Sequence, residues 1–315
     1  MADPNVGVLL STTLKNYRQN LVDQIHKSNA LFFMLKEKGA IKEEAGGERI
    51  VQPILYAKNS TAGSYDSYDS LDTTPQTGID SAEYNWKQYS ASITISGKEE
   101  RQNSGDKYRI IDLLDAKTKQ AMYTLKETIG NGIFSDGTGN GSKDLTGLVA
   151  MVAATGTYGG ISSSTNTWWQ SYVESTSEAL TLAKLRVAFN TPTLGGKDHA
   201  NLIVTTQSLF ESYEGLLTTT TSTFYSADTK KLGDGGFQTL EFKGVPFVFD
   251  ELCNSGVVYF LNTEHMKLVV HKDANFETTD FVKPENQDAK VAQILFMGNL
   301  TCDRRKSFSK LTAKT

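Results

Sequence analysis

Residues 59–83 constrain the fold of this chain more than any other stretch. They form a polar segment of Ser, Thr, Gly, Tyr and Asp without a single Lys or Arg, set between two strand-like runs. Ahead of it, Ile50, Val51, Ile54, Leu55 and Tyr56 mark extended chain from Glu48 to about Lys58, and Pro53 places that run at a sheet edge or a bulge. Behind it, Tyr89, Ala91, Ile93 and Ile95 alternate with Gln88, Ser90, Ser92, Thr94 and Ser96, the period of a strand with one buried face. Paired with each other, the two runs predict a long two-stranded arm with 59–83 as its tip. Such an arm is marginal in isolation. It is expected to find its partners elsewhere.

Two helical patterns flank the arm. Leu14, Tyr17, Leu21 and Ile25 recur at three- and four-residue steps, with Lys15, Arg18, Gln19 and Asp23 on other faces, which reads as an amphipathic helix or broken pair over 8–38. It ends in an apolar cluster, Leu31–Leu35, before Gly39, a cluster that should dock on its own domain or on a neighbour. The stronger pattern spans 106–134. Ser104 or Asp106 can cap it, and Ile110, Leu114, Ala121, Leu125, Ile129 and Ile133 form one stripe. At full length this helix would run ~40 Å, ending at Gly132 or shortly after.

The second half is mixed α/β. A helix over 179–190 carries Leu182, Leu185 and Phe189 and is stopped by Thr191-Pro192. A short buried strand at 201–205 leads to Thr206, which can cap a helix carrying Leu209, Phe210 and Tyr213. The Thr-rich segment 218–226 reads as a mobile loop. Strand-like runs follow at 242–249, 256–261 and 266–270, and a last pair spans 289–296 and 300–311. The fold class expected is α+β, without internal repeats.

At 315 residues the chain can bury one large core or two moderate ones. A net charge of −4 argues against a protein that grips nucleic acid by neutralising phosphates, and leaves room for one that encloses it. Cys253 and Cys302 make no metal-type pair and are expected as reduced thiols. The first residues lack the basic and apolar regions of a signal peptide, and no apolar run approaches the ~18 residues of a membrane span. A cytosolic product is expected.

The most ligand-like stretch is "DGTGNGSKDLTG" at 136–147. It is no P-loop: Lys143 follows Ser142 rather than Gly, Asp144 replaces the magnesium-binding hydroxyl, and the segment leaves a helix instead of opening one. Asp136, Thr138, Asn140, Gly141, Ser142 and Asp144 fill calcium-loop positions, but Gly147 stands where a bidentate Glu should close the shell. Gly137, Gly139 and Gly141 instead fit positive-φ turns out of the long helix. No nucleophile-elbow, zinc-protease or Cys-x-x-Cys pattern occurs. The four histidines are scattered, although His265 and His271 could meet on a sheet. The repeated Tyr-Asp-Ser at 65–70 reads as a loop tip. No enzyme and no cofactor is expected.

The order of parts, together with "FSDGTGNGSKDLTGL" (134–148), "YGGISSSTNTWWQSY" (158–172) and the Lys-Gly-Val-Pro and Tyr-Phe-Leu-Asn patterns within 235–270, resembles the major capsid proteins of tailed bacteriophages, whose fold is named after phage Hong Kong ninety-seven. The resemblance covers most of the chain. It implies an N-terminal arm (1–45), an extended loop (46–100), a peripheral domain with a spine helix (101–150), a central domain (151–270) and C-terminal strands returning to the sheet (271–315). It further implies self-assembly as hexamers and pentamers into an icosahedral virion shell enclosing double-stranded DNA without sequence-specific contacts, after synthesis in the host cytoplasm. A separate scaffolding protein, a portal and a decoration protein are the partners implied. An encapsulin-like compartment shell and a calcium-dependent surface or receptor-binding protein are the alternatives.

One inter-subunit contact is expected from charge. Asp66, Asp69, Asp72, Asp80 and Glu83 make an acidic tip, and Lys107, Arg109, Lys117, Lys119 and Lys126 a basic helical surface. The tip of one subunit is expected to lie across the helix of the next, steering assembly more than adding affinity. Relatives that weld their shells use an extended-loop lysine. The tip here has none, so that chemistry is not carried over.

Overall fold

Alternation along the strand predicted at 88–96 sets the central packing of the molecule. The computed structural model describes residues 29–102, 113–195, 198–218 and 239–314. Within them β4 (Lys87–Ser96) turns Tyr89, Ala91 and Ile93 inward and leaves Gln88, Ser90 and Ser92 exposed. Its partner is not the strand before the polar segment. β4 pairs antiparallel with β13 (Ala289–Cys302), Ala289 opposite Ser96 and Gly298 opposite Lys87. β13 pairs on its other side with β12 (Met266–Thr278), and β12 runs parallel to β1 (Ile41–Glu44), giving a four-stranded sheet in the order β1-β12-β13-β4.

The arm itself is β2 (Ile50–Leu55) against β3 (Ile79–Tyr84). The predicted pairing of 48–58 with 88–96 is therefore corrected. A period of two assigns faces to a strand but does not name its partner. The run Ile79-Asp-Ser-Ala-Glu-Tyr84, sequence-polar at three of six positions, took the place because Ala82 and Tyr84 suffice to bury one face.

The spine helix, α3 (Leu113–Ile133), packs on β4 and β13. Leu125, Ile129 and Ile133 are fully buried on its predicted stripe. Its described length is ~32 Å. The cap candidates Ser104 and Asp106, and Ile110, lie outside the described residues, as do Leu14, Tyr17, Leu21 and Ile25 of the N-terminal pattern and most of the Thr-rich segment. The apolar cluster at the end of that pattern forms α1 (Ala30–Glu37), which buries Ala30, Leu31, Met34 and Leu35 in the chain's own core. Asn29 accepts from the Phe32 amide, and buried Asp250 accepts from Leu31 N at 2.8 Å, so two carboxylate or amide oxygens serve the free amides of the first turn. Burial holds the Asp250 carboxyl above its usual range.

A six-stranded sheet, ordered β7-β14-β11-β8-β10-β9, makes the second body of the fold. Its strands are β7 (Tyr172–Glu174), β8 (Leu202–Thr205), β9 (Thr239–Phe242), β10 (Val245–Phe249), β11 (Val258–Leu261) and β14 (Ser309–Leu311). The sheet is covered on both sides, which explains its unbroken apolar runs. Leu202 and Val204 face the large core shared with α1, α3 and the four-stranded sheet. Ile203, Phe247, Val258 and Phe260 face a second core under α4 (Leu182–Asn190) and α5 (Gln207–Thr218). Thr181 caps α4 through the Lys184 amide. The predicted last pair, 289–296 with 300–311, is not a hairpin. β13 runs straight through Gly298, where a Cβ would stand 2.6 Å from Val269 O; the glycine serves close strand approach rather than a turn.

The segment 148–171 is wrapped around one cation. Arg305, 1% exposed, donates from Nε to Met151 O at 2.7 Å and from its Nη atoms to Ala150 O, Thr155 O and Trp169 O, with Tyr158 stacked over the guanidinium at 5.7 Å. Ser171 Oγ returns a hydrogen bond to Arg305 O. Replacing Arg305 by Met leaves four carbonyls, those of Met151 and Trp169 buried, without this donor. Urea unfolding of Arg305→Met is expected to show a loss of about 3 kcal/mol or more, with Arg305→Lys recovering only part of it.

Candidate functional site

The ligand-like stretch 136–147 is occupied with its own backbone. Asp136 Oδ1 accepts from both Thr138 N (2.9 Å) and Thr138 Oγ1 (2.7 Å), which holds its carboxyl below the usual range. Ser135 Oγ donates to Leu145 O and accepts from Gly137 N, closing the loop on itself. Lys87 donates to Ser142 O, and Tyr89 and Asn299 accept from the Leu145 and Thr146 amides, so the loop is tied to β4 and β13. No helix of more than one turn follows it: Leu148–Met151 is four residues long.

The glycines of this loop divide into different roles. Gly137 and Gly141 have φ of +82° and +66°, the left-handed conformation expected of them. Gly139 does not, and the reading of it as a positive-φ turn is corrected: a Cβ there would run into the Asp144 carboxylate. Asn140 (φ 49°) and Ser142 (φ 64°) take the left-handed positions instead. Gly147 admits no side chain because a Cβ would meet the carbonyls of Ile133 and Gly132 at the end of α3.

His265 and His271 do not form a pair. His265 lies between Asp198 and Asp303, whereas His271 stands edge-on to Trp86 at 5.6 Å. Among the described residues no group of three or more His, Cys, Asp or Glu could hold a metal ion. Cys253 and Cys302 are buried and unbridged, and burial pushes the Cys302 thiol up to about 12. Among the described residues no helix is long and apolar enough to cross a membrane.

The candidate site is the arm. Its two faces differ sharply, because β2 and β3 place directly opposed residues on the same side. Ile50, Ile54, Ala82 and Tyr84 are buried, and this face rests on the chain itself. Tyr84 donates to Cys302 O at 2.8 Å, Glu83 N donates to Gly159 O, and Tyr56 stacks on Trp168 with centroids 4.9 Å apart. For this half, the partners that the arm needs lie within the chain itself. The opposite face carries Val51, Leu55 and Ile79 at 56%, 76% and 77% exposure, and Leu55 stands directly across from Ile79. Tyr65, Tyr68 and Leu71 in the tip are exposed as well. Sequence reasoning placed Val51 and Leu55 in a strand without asking which face had cover; the alternation Ile50/Val51, Ile54/Leu55 carried that signal.

The acidic residues are split by the register. Asp66, Asp69 and Asp72 lie in the exposed tip. There Asp69 accepts from Asp66 N and Asp72 from Thr74, bonds that hold the Asp72 carboxyl below its usual range. Asp80 and Glu83 do not belong to the tip. They sit in β3, opposite Ile54 and Val51, because Ala82 and Tyr84 draw this stretch into the stalk, and Glu83 is paired with Arg49 at 2.7 Å. Lys107 and Arg109 lie outside the described residues. Lys117 is engaged within the chain by Glu99 and Thr94 O at 2.9 Å each, Lys119 pairs with Asp115 at 2.7 Å, and Lys126 lies 6.0 Å from the Tyr123 ring. Within one chain no ion pair joins the described tip to the described helix.

Rigid closure of the helix exit is tested by two glycine substitutions. Gly147→Ala must displace backbone and is expected to cost about 2 kcal/mol or more in urea unfolding. Gly141→Ala meets open space and carries only the left-handed backbone penalty of about 1 kcal/mol.

No family model matches the chain, and no curated protein does. Solved structures do. The capsid asymmetric unit of cyanophage A-1(L) aligns with a TM-score of 0.69 at 18% identity, covering 98% of this chain and 99% of that one. The capsid of a native GTA particle aligns at 0.64 and 10% identity over 100% of both chains. The holo-SrpI encapsulin complex from Synechococcus elongatus aligns at 0.60 and 10% identity, covering 97% and 95%. These likenesses run the length of the molecule and include both sheets and the arm. The chain has the α+β capsid fold that its motifs anticipate.

Proposed function

We propose that this chain is a shell subunit, the major capsid protein of a tailed bacteriophage, which assembles as hexamers and pentamers into an icosahedral shell around double-stranded DNA. The observation that carries the reading is the uncovered face of the arm. Val51, Leu55 and Ile79 lie exposed on one face of an arm whose other face is covered by the chain itself, and the tip adds exposed Tyr65, Tyr68 and Leu71. Exposed apolar surface concentrated in this way marks a protein contact. A fold aligned end to end with capsid chains supplies the partner: further copies, meeting through different patches so that contacts close into rings. The net charge of −4 suits a container that does not grip its contents. The role is structural rather than catalytic, and a scaffolding protein, a portal and a decoration protein complete the assembly.

The encapsulin alignment favours a second reading, a compartment shell built by the same contacts around protein cargo. Contents separate the two readings. Purified particles that carry nucleic acid and attach to a portal support the phage shell, and particles filled with a co-purifying enzyme support the compartment.

Electron microscopy and sedimentation of the purified chain test the shared premise. Closed shells or capsomers are expected; a monomer under all conditions would falsify it. Substituting Leu55→Thr and Ile79→Thr keeps strand-forming residues while removing apolar area from the exposed face. This variant should fold with stability within about 0.5 kcal/mol of the parent. Its threshold concentration for assembly should rise by about tenfold or more.

Charge on the tip is tested separately. Converting Asp66, Asp69 and Asp72 to Lys removes any pairing with Lys119 and Lys126 of a neighbour, each exposed pair contributing ~0.2–1 kcal/mol. Slower assembly with unchanged subunit folding is expected, the difference shrinking at high salt. Normal shells at a normal rate would discard the charge contact.

A further inference from the structure

Two short connections join the sheets, 262–265 between β11 and β12 and 303–308 between β13 and β14. His265 lies where these connections meet. Its Nδ1 is 2.8 Å from Asp303 Oδ1 and its Nε2 is 3.1 Å from Asp198 Oδ2. The two carboxylates belong to different parts of the fold. Asp303 follows β13 directly, and its amide donates to His265 O, so histidine and Asp303 close one end of the four-stranded sheet. Asp198 precedes β8, in a loop of the six-stranded sheet closed by reciprocal backbone bonds with Leu194. Asp198 also accepts from the Arg304 guanidinium and, at 2.6 Å, from Asn262 Nδ2.

We propose that His265 is a protonation-dependent clasp that fastens the six-stranded sheet to the four-stranded one. Only the imidazolium donates from both ring nitrogens. A neutral ring keeps one donor and turns a lone pair toward the other carboxylate, so it can hold a single partner. Asp303 is the nearer one, while Asp198 retains Arg304 and Asn262. Loss of the proton therefore releases the His265–Asp198 bond and leaves Asp198 to Arg304 and Asn262. The remaining charged neighbours do not replace it. Glu264, beside the histidine, is exposed, Lys267 donates to Thr263 O, and His199 is turned to Ala200 O. The paired bonds of Asn201 with Thr263, 2.9 and 3.0 Å, carry no charge and persist, so the junction loosens without opening fully.

The sign follows from the surroundings. The hydrogen bond to Asp303 is the largest influence and raises the histidine; burial, the next, opposes it, and the charges of Asp303 and Asp198 with the bond to Asp198 leave it above its ordinary value. A raised folded-state value means that the clasp is complete below about pH 6.5, the unfolded value. It is lost as pH rises through the raised one.

Exchange of the histidine C2 hydrogen, read by mass spectrometry on the full-length chain, reports this titration in free subunits and in particles alike. His265 is expected to titrate above about 6.5, and to move down in Asp198→Asn and in Asp303→Asn. Backbone exchange over 194–201, corrected for its intrinsic pH dependence, should rise several-fold between about pH 6 and about pH 9. The rise should vanish in His265→Gln. If that variant does not fold, the Asp303→Asn protein decides the matter, because its transition should shift to lower pH. Titration of His265 at or below the ordinary value, or parental exchange over 194–201 that does not change with pH, overturns the proposal.

Discussion

A buried guanidinium, with no carboxylate paired to it among the described residues, organises the middle of this molecule. Arg305 gives its hydrogen bonds to main-chain carbonyls at 150, 151, 155 and 169. These belong to an irregular segment that has little regular hydrogen bonding of its own. Carbonyl dipoles and the Tyr158 ring spread the compensation for the charge over many atoms. Burial, opposed by weaker effects from Cys302 and the nearby tyrosines, draws the guanidinium below its usual value. Lys310 lies close by, and its ammonium is held down by burial and by the charge of Arg305. Because Arg305 lies on the connection from β13 to β14, the same side chain that shapes the segment also fixes where the chain crosses from one sheet to the other.

The dependence runs outward from there. Trp169 is placed by Arg305 and donates to Tyr158 O, Trp168 stands edge-on to Trp169, and Tyr56 at the top of the stalk stacks on Trp168. The stalk of the arm is thereby referred back to the buried cation through three aromatic rings. Spine helix and arm meet in the same core, with Ile133 and Tyr84 both members of it.

Particular residues show how much of this was legible beforehand. The stripe Leu125, Ile129, Ile133 and the alternation Tyr89, Ala91, Ile93 appear as written, since each is a local period imposed by one covered face. The doubly covered run 202–205 was also readable as buried. Strand partners were not. Nothing local distinguishes β3 from β4 as the mate of β2, and β3 hides because only Ala82 and Tyr84 of its six residues are buried. Gly139 and Gly298 look like turn glycines but answer to neighbours distant in sequence, a carboxylate and a facing strand. The acidic group lost Asp80 and Glu83 for the same reason: a charge count along the chain does not know where the register starts. Arg305 and the Asp198–His265–Asp303 cluster carry no motif, being assembled from segments that meet only in three dimensions.

The stacked inner face of the arm has a consequence for timing and cost. A projecting element that is ordered only on docking loses backbone freedom at about 1–2 kcal/mol per residue at that moment. Here the stalk is already held by Tyr56 on Trp168 and by Tyr84 on Cys302 O. That part of the entropy is spent during folding, and docking begins from a preorganised shape. In the shell role proposed above, the tip beyond Tyr56 is the part left to adapt, so variation in curvature among sites would be absorbed at the end of a fixed lever rather than at its root.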